Sequence, residues 1–323
     1  MTEEQQSSSG ISWVLLTHIL TCLQIALFKN VRFGKAPVGP LRFAAPQFPD
    51  RIRDDKVVQD NSFGPSCIQA NLDAENPSPV PGGAEDEDCL FLDIYVPYSA
   101  LTSPEKLPVV DYIYGGAYLF GGKETVLQSN DTTWSLYDGR GIFDASDNGI
   151  IWVVGNYRLG AYGWLAGSTM EYAGTPNAGL HDQRLVLQFI QTYIGQVNGN
   201  NDKVSAWGNS AGAGSIIHHL TAFGGDQSPL FQRAALWSPA YQWAWDRQGT
   251  LQQTFSNFSK AAGCGARTGN LDCLRQADNK QLKVANQEIV TGVTKTGLFP
   301  FGPAVDGSWV KALAAQELSR GEY

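Results

Sequence analysis

Ser210 lies inside Gly208-Asn209-Ser210-Ala211-Gly212, a Gly-x-Ser-x-Gly stretch. Small residues on both sides of a serine let the backbone turn sharply enough to push the hydroxyl out at the end of a strand, as a nucleophile elbow requires. The matching chemistry is acyl transfer. The hydroxyl attacks a carbonyl carbon, and nearby amides hold the oxygen anion that results. Upstream, Tyr114-Gly115-Gly116-Ala117 closes an apolar run, where glycine and alanine allow the backbone to approach a bound carbonyl closely. The N–H groups of Gly116, Ala117 and Ala211 are therefore the candidate oxyanion donors. Each such donor is worth roughly a hundredfold or more in rate.

A serine hydroxyl is a weak nucleophile at neutral pH until an imidazole takes its proton, and a carboxylate has to fix that imidazole's tautomer. The histidines are His18, His181, His218 and His219. His218 and His219 stand two turns beyond Ser210 on the helix expected there, carried away from the hydroxyl by a rise of about 1.5 Å per residue. They read as packed or helix-surface side chains, not as the base.

Positioning these groups requires strands that end beside one another. Leu90–Val96, Pro108–Tyr114, Ile150–Asn156, Val204–Gly208 and Arg233–Trp237 read as strands, and the run at 150 as one buried on both faces. Leu180–Ile194, Ser210 to about Leu220, Leu251–Ala262 and Lys280–Val290 read as helices. Strands alternating with helices predict an α/β fold with a mostly parallel central sheet covered on both faces. No linker divides the chain, and no internal repeat is present.

The 323 residues are enough for a sizeable core, with 43% apolar and 17% charged side chains. The net charge of −8 and the absence of any Lys/Arg run longer than two residues exclude a nucleic-acid partner, which would need a basic face. No Cys/His cluster at ligand spacing, dinucleotide glycine fingerprint or Walker sequence is present, so neither metal nor organic cofactor is expected.

The cysteines are Cys22, Cys67, Cys89, Cys264 and Cys273. Cys22 stands apart. The others form two local couples, Cys67 with Cys89 and Cys264 with Cys273, although sequence alone permits three connectivities. Asn-x-Ser/Thr sequons at Asn130 and Asn257 point, with the cysteines, to glycosylation and secretion. The amino terminus fits this poorly. Ile11–Phe28 is apolar but interrupted by polar residues, and Glu3 and Glu4 precede it in place of positive charge. It makes a weak signal peptide and no stable membrane span. Residues 1–30 are thus set apart as a leader foreign to the fold, an atypical signal or anchor, or a core element, with the fold expected from residue 31 to 323.

Several stretches together resemble the type B carboxylesterase/lipase family, the cholinesterase-like branch of the α/β-hydrolases, and look most like a fungal member. They are Ala36–Phe43 (APVGPLRF), Glu87–Pro97 (EDCLFLDIYVP), Tyr114–Ala117, Asn156–Trp164 (NYRLGAYGW), Asn177–Gln183 (NAGLHDQ), Gly208–Gly212 and Pro303–Gly307 (PAVDG). The resemblance implies an ester or lipid hydrolase acting through a Ser210 acyl-enzyme, with Gly116, Ala117 and Ala211 as oxyanion donors. It also implies disulfides Cys67–Cys89 and Cys264–Cys273, and pocket aromatics among Tyr241, Trp243 and Trp245.

Departures accompany the likeness. Asn209 stands where the family usually has Glu, and Val197-Asn198-Gly199 replaces its Phe-Gly-Gly. α/β-Hydrolases order their triad Ser, acid, His, which the four histidines here do not permit. His181 belongs to the structural NAGLxDQ segment, and Asp306 matches the structural PxxDG segment. The resemblance implies that the acid and His lie beyond residue 323, so that the chain is the front portion of an esterase. The alternative is a non-catalytic cholinesterase-like binding or adhesion module, although such a module has no need to keep Ser210.

Overall fold

The computed structural model describes residues 24–50, 64–72, 80–81, 84–129, 132–242, 244–265, 270–294 and 299–323. His18, Cys22, Asn130 and Trp243 fall outside the described residues.

A six-stranded sheet organises the chain. Its strands are β1 (Ile25–Arg32), β2 (Phe91–Pro97), β3 (Leu107–Ile113), β4 (Ile151–Gly155), β5 (Gly199–Asn209) and β6 (Arg233–Trp237), in the spatial order β1-β2-β4-β3-β5-β6. The pairings among β4, β3, β5 and β6 are parallel, and β1 and β2 add an antiparallel edge. This is the mixed, mostly parallel sheet expected from the alternation of elements. Every residue of β4 is buried, as a continuous apolar run at the sheet centre should be.

Alternation along β3 separates the two faces. Asp111 faces Gln183 and Val186 of helix α2 (Ala178–Tyr193). Tyr112 points the other way and stacks on Trp152 and Tyr137, near helix α1 (Arg140–Ala145). Helix α3 (Ala211–Leu220) packs on β5, the strand that delivers it. Helices α4 (Thr250–Ala261) and α5 (Asn279–Thr294) pack on each other through residues such as Phe255, Phe258, Leu282 and Ala285, all fully buried.

Two elements differ from the sequence expectation. β5 begins five residues earlier than the apolar run because Gly199 pairs with Leu107, and a register irregularity then carries polar Asn200–Lys203 outside the ladder before pairing resumes at Val204. β1 begins at Ile25, inside the stretch set apart at the amino terminus, and pairs antiparallel with β2. Ile25, Ala26 and Phe28 are buried, so this part of the stretch adds an edge to the core.

The disulfides Cys67–Cys89 and Cys264–Cys273 are both formed. Among the described residues, no helix is long and apolar enough to cross a membrane. Nor do they contain a group of three or more His, Cys, Asp or Glu side chains able to hold a metal ion.

Candidate active site

Strand β5 ends at Asn209, and helix α3 starts at Ala211. Ser210, between them, takes φ 51° and ψ −119°. A non-glycine residue at positive φ costs on the order of 1–3 kcal/mol and persists only where its surroundings enforce it. The enforcement is visible. The Ser210 N–H donates to the Trp237 carbonyl at 2.9 Å, and the Ser210 carbonyl accepts from Gly214 at 2.9 Å and Ala240 at 3.0 Å. The end of β6 thus clamps the turn.

The flanking glycines are required by contact. A Cβ on Gly208 would stand 2.8 Å from the Gly212 carbonyl carbon, and one on Gly212 would stand 1.9 Å from the Ile113 oxygen. Backbone atoms at those distances leave no room for a side chain. The bend therefore presses against the end of β3, which is where the second candidate segment begins.

That segment passes directly beside the serine. A Cβ on Gly115 would lie 3.0 Å from Ser210 Cβ. Gly116 then takes φ 124°, Ala117 φ 54° and Tyr118 φ 63°, three consecutive residues with positive φ. Gly116 turns its carbonyl to the amides of Leu119 and Phe120, at 2.8 and 3.0 Å. By contrast, the N–H groups of Gly116, Ala117 and Ala211 donate to no acceptor among the described residues. Ala211 is fully buried, whereas Ser210, Gly116 and Ala117 keep partial exposure. The tertiary structure brings the serine and the Gly116–Ala117 turn together, with free amides beside a hydroxyl at a forced bend.

A model of the carboxylesterase family matches residues 17–322. The chain belongs to the carboxylesterase family. It is 40% identical over 282 residues to a secreted lipase of Arthroderma benhamiae, covering 83% of this chain and 51% of that protein. It is 33% identical over 341 residues to Lipase 1 of Geotrichum candidum, covering 93% of this chain and 57% of that protein. The crystal structure of Aspergillus niger EstA superposes with a TM-score of 0.75 at 31% identity, over 94% of this chain and 55% of EstA. A pNB esterase superposes with a TM-score of 0.76 at 27% identity, over 95% of this chain and 60% of that one. The family member described here therefore spans about half the length of the curated relatives it matches, and its α/β-hydrolase fold is that of solved esterases.

The described histidines of this carboxylesterase-family chain lie elsewhere. His181 and His219 both meet the ring of Trp309 edge-on, at centroid distances of 4.5 and 5.5 Å. The Gln183 amide nitrogen donates to Ser215 Oγ at 3.1 Å, so its oxygen faces His219 Nε2 at 3.0 Å. His219 Nε2 is accordingly the protonated nitrogen, and the buried Nδ1 keeps a bare lone pair without a partner among the described residues. Burial lowers the pKa of His218 to about 4 and, with Arg184 and the other two histidines adding repulsion, that of His219 to about 3. Burial together with Arg158 and Arg184 lowers His181 to about 4. None is hydrogen-bonded to Ser210.

Asp306 is occupied structurally, as its PxxDG context suggested. It accepts from Asn177 Nδ2 at 2.7 Å and from the amides of Ser308 and Val310 at 2.7 and 3.1 Å. Desolvation raises its pKa against these hydrogen bonds. Asn198, one of the departures, takes φ 64°, a conformation that asparagine tolerates better than most residues. Its side chain ties down the carbonyls of Ala100, Ser103 and Glu105, all at 2.9 Å.

Tyr241 and Trp245 are 58% and 61% exposed, on the segment that leaves Ser210 through Ala240. Sequence reasoning passed over Gly115, Tyr112 and Asp111. Gly115 had a signal in the Gly-Gly pair. Asp111 had one as a lone carboxylate inside PVVDYIY; it is fully buried at the sheet centre, its Oδ2 lacks a partner among the described residues, and burial pushes its pKa up to about 8.

Proposed function

We propose that this chain carries the nucleophile and the oxyanion site of a serine carboxylic-ester hydrolase. Ser210 Oγ attacks an ester carbonyl, and the amides of Gly116, Ala117 and Ala211 take the tetrahedral oxyanion. Collapse expels the alkoxide, which takes up the proton lost by Ser210 and leaves as the alcohol, and the acyl group left on Ser210 is then removed by water as the free acid. The observation carrying this reading is the conjunction at one bend: a serine held at φ 51° beside three amides without acceptors among the described residues. A non-catalytic binding module has no use for either feature.

The reading assigns the general base to none of the described histidines. His181 and His219 are spent on Trp309, and all three are neutral and buried or nearly so. With none of the described histidines placed to take its proton, the Ser210 hydroxyl stays a weak nucleophile at neutral pH. The 323-residue chain is therefore expected to acylate slowly.

The substrate is a small ester or lipid, and Tyr241 and Trp243 are the side chains proposed to meet it. Secretion accords with the two disulfides and with the secreted lipase among the relatives. The Asn257 side chain is exposed on α4, where it accepts from Gln253 at 2.8 Å, and is the proposed glycan acceptor among the described residues.

The test combines turnover of a chromogenic short-chain ester with labelling by an organophosphonate, localised by peptide mass. Modification of the Ser210 peptide and slow ester turnover, both lost in Ser210→Ala, are expected. Equal turnover by wild type and Ser210→Ala, or label on another residue, would remove Ser210 from the mechanism.

A further inference from the structure

Two separate segments have to be held in register for this site to exist. The parallel pairing of β3 with β5 aligns Ile113 with Gly208 and goes no further. Past that point the two chains diverge, one into the Gly115–Tyr118 turn and the other into the elbow. We propose that Asn209 is the positioning residue that joins them, acting as a neutral acceptor that sets the Gly116 and Ala117 amides relative to Ser210.

Asn209 Oδ1 accepts from the Gly115 N–H at 3.1 Å and from the Tyr112 hydroxyl at 3.0 Å. Gly115 is buried, so its amide loses a partner if this oxygen is removed. It also immediately precedes Gly116, so its orientation sets the direction in which the next two amides point. The orientation of the carboxamide is dictated by its neighbour. The Gly115 N–H can only donate, and a flipped Asn209 would oppose it with an NH₂ group. The second donor is fixed as well, because the Tyr112 ring stacks on Trp152 at 5.1 Å and lies 5.3 Å from Tyr137. Asn209 is adjacent in sequence to the nucleophile, so one side chain links the elbow, the strand β3 and the turn.

Its neutrality is part of the inference. A carboxylate at this position would accept the same two protons, yet it would place a full negative charge beside the amides meant to stabilise a developing oxyanion. The carboxamide keeps the acceptor without that opposing field.

The kinetic arm of the test rests on the acyl-transfer reading of Ser210, and the structural arm does not. Amide hydrogen exchange at Gly115–Ala117 and the rate of organophosphonate labelling of Ser210 are measured on the full chain. Asn209→Leu is expected to speed exchange at these amides at least tenfold and to slow labelling at least tenfold. Asn209→Asp is expected to keep wild-type exchange, yet to label about tenfold more slowly at pH 7. Asn209→Ser, too short to reach either donor, replaces the Leu variant if that protein does not fold. Exchange and labelling within twofold of wild type in Asn209→Leu or Asn209→Ser would overturn the proposal. If the wild-type protein is not labelled at all, the acyl-transfer reading falls, and exchange alone decides whether Asn209 makes the tie.

Discussion

Helix α3 has two ends with opposite economies. At its start, Ser210 is held in a conformation that serine avoids, and the amides of Ala211, Gly116 and Ala117 have no acceptor among the described residues. Eight and nine residues on, His218 and His219 are buried and neutral, with His219 bonded to Gln183 and Trp309 packed against its ring. The histidine end is what an ordinary core does with polar groups: it buries them uncharged and satisfies the donors it can. The serine end keeps strain and unsatisfied donors that a core would eliminate. The comparison teaches that residue type alone is a poor guide to chemistry. Histidine, the usual general base, serves here as packing, whereas backbone amides and glycines make up the end proposed to react.

Removing the proposed nucleophile is the largest way to break this comparison. Ser210→Ala should abolish organophosphonate labelling while leaving the thermal midpoint nearly unchanged, read by mass spectrometry and calorimetry. The histidine end should reveal itself in acid. His218 and His219, with His181 of α2 packed on the same Trp309, have folded pKa values near 3 to 4 against 6.5 when free. The unfolded chain then binds more protons, so stability is full above about pH 6.5 and is lost as pH falls toward 4. The loss at pH 5 is on the order of 2 kcal/mol for each histidine, measured by urea unfolding. Nuclear magnetic resonance titrations near 6.5 would dissolve the contrast between the two ends.

A second pH-dependent effect concerns Asp111. Its carboxyl, raised to about 8 by burial, stays protonated in the fold while the unfolded chain ionises. This costs stability progressively as pH rises from about 4 through 8. Asp111→Val, which removes the titration, should therefore gain on the order of 5 kcal/mol relative to wild type between pH 4 and pH 8 in urea unfolding. The smallest effect tests the steric demand of the elbow. Gly212→Ala puts a Cβ 1.9 Å from the Ile113 oxygen, and should destabilise the fold by about 3 kcal/mol in denaturant titration.

Much of the fold was legible because its signals are local. The apolar run at 151–155, the strand preceding Gly208 and the amphipathic stretch at 251–261 all form as their patterns indicated. The elbow was legible for the same reason, since Gly208 and Gly212 flank Ser210 in sequence as well as in space. Less local features escaped. β1 was hidden because Ile25–Phe28 carries a strand pattern only half its length, and its partner β2 lies more than sixty residues away. The early start of β5 was hidden because polar Asn200–Lys203 forms a register irregularity that separates the Gly199 pairing from the apolar run. The Gly115–Asn209 bond spans 94 residues and leaves no periodic trace.

The amino-acid sequence by itself named the candidate nucleophile and determined the order of strand, bend and helix around it and membership of an esterase-like architecture, because each depends on residues close together along the chain. Tertiary structure alone decided which amides beside Ser210 lack an acceptor among the described residues, which histidines are buried around Trp309, and which donors Asn209 accepts from. Those outcomes depend on packing between segments far apart in the chain, where burial, steric exclusion and the supply of hydrogen-bond partners are set by neighbours that no local pattern names.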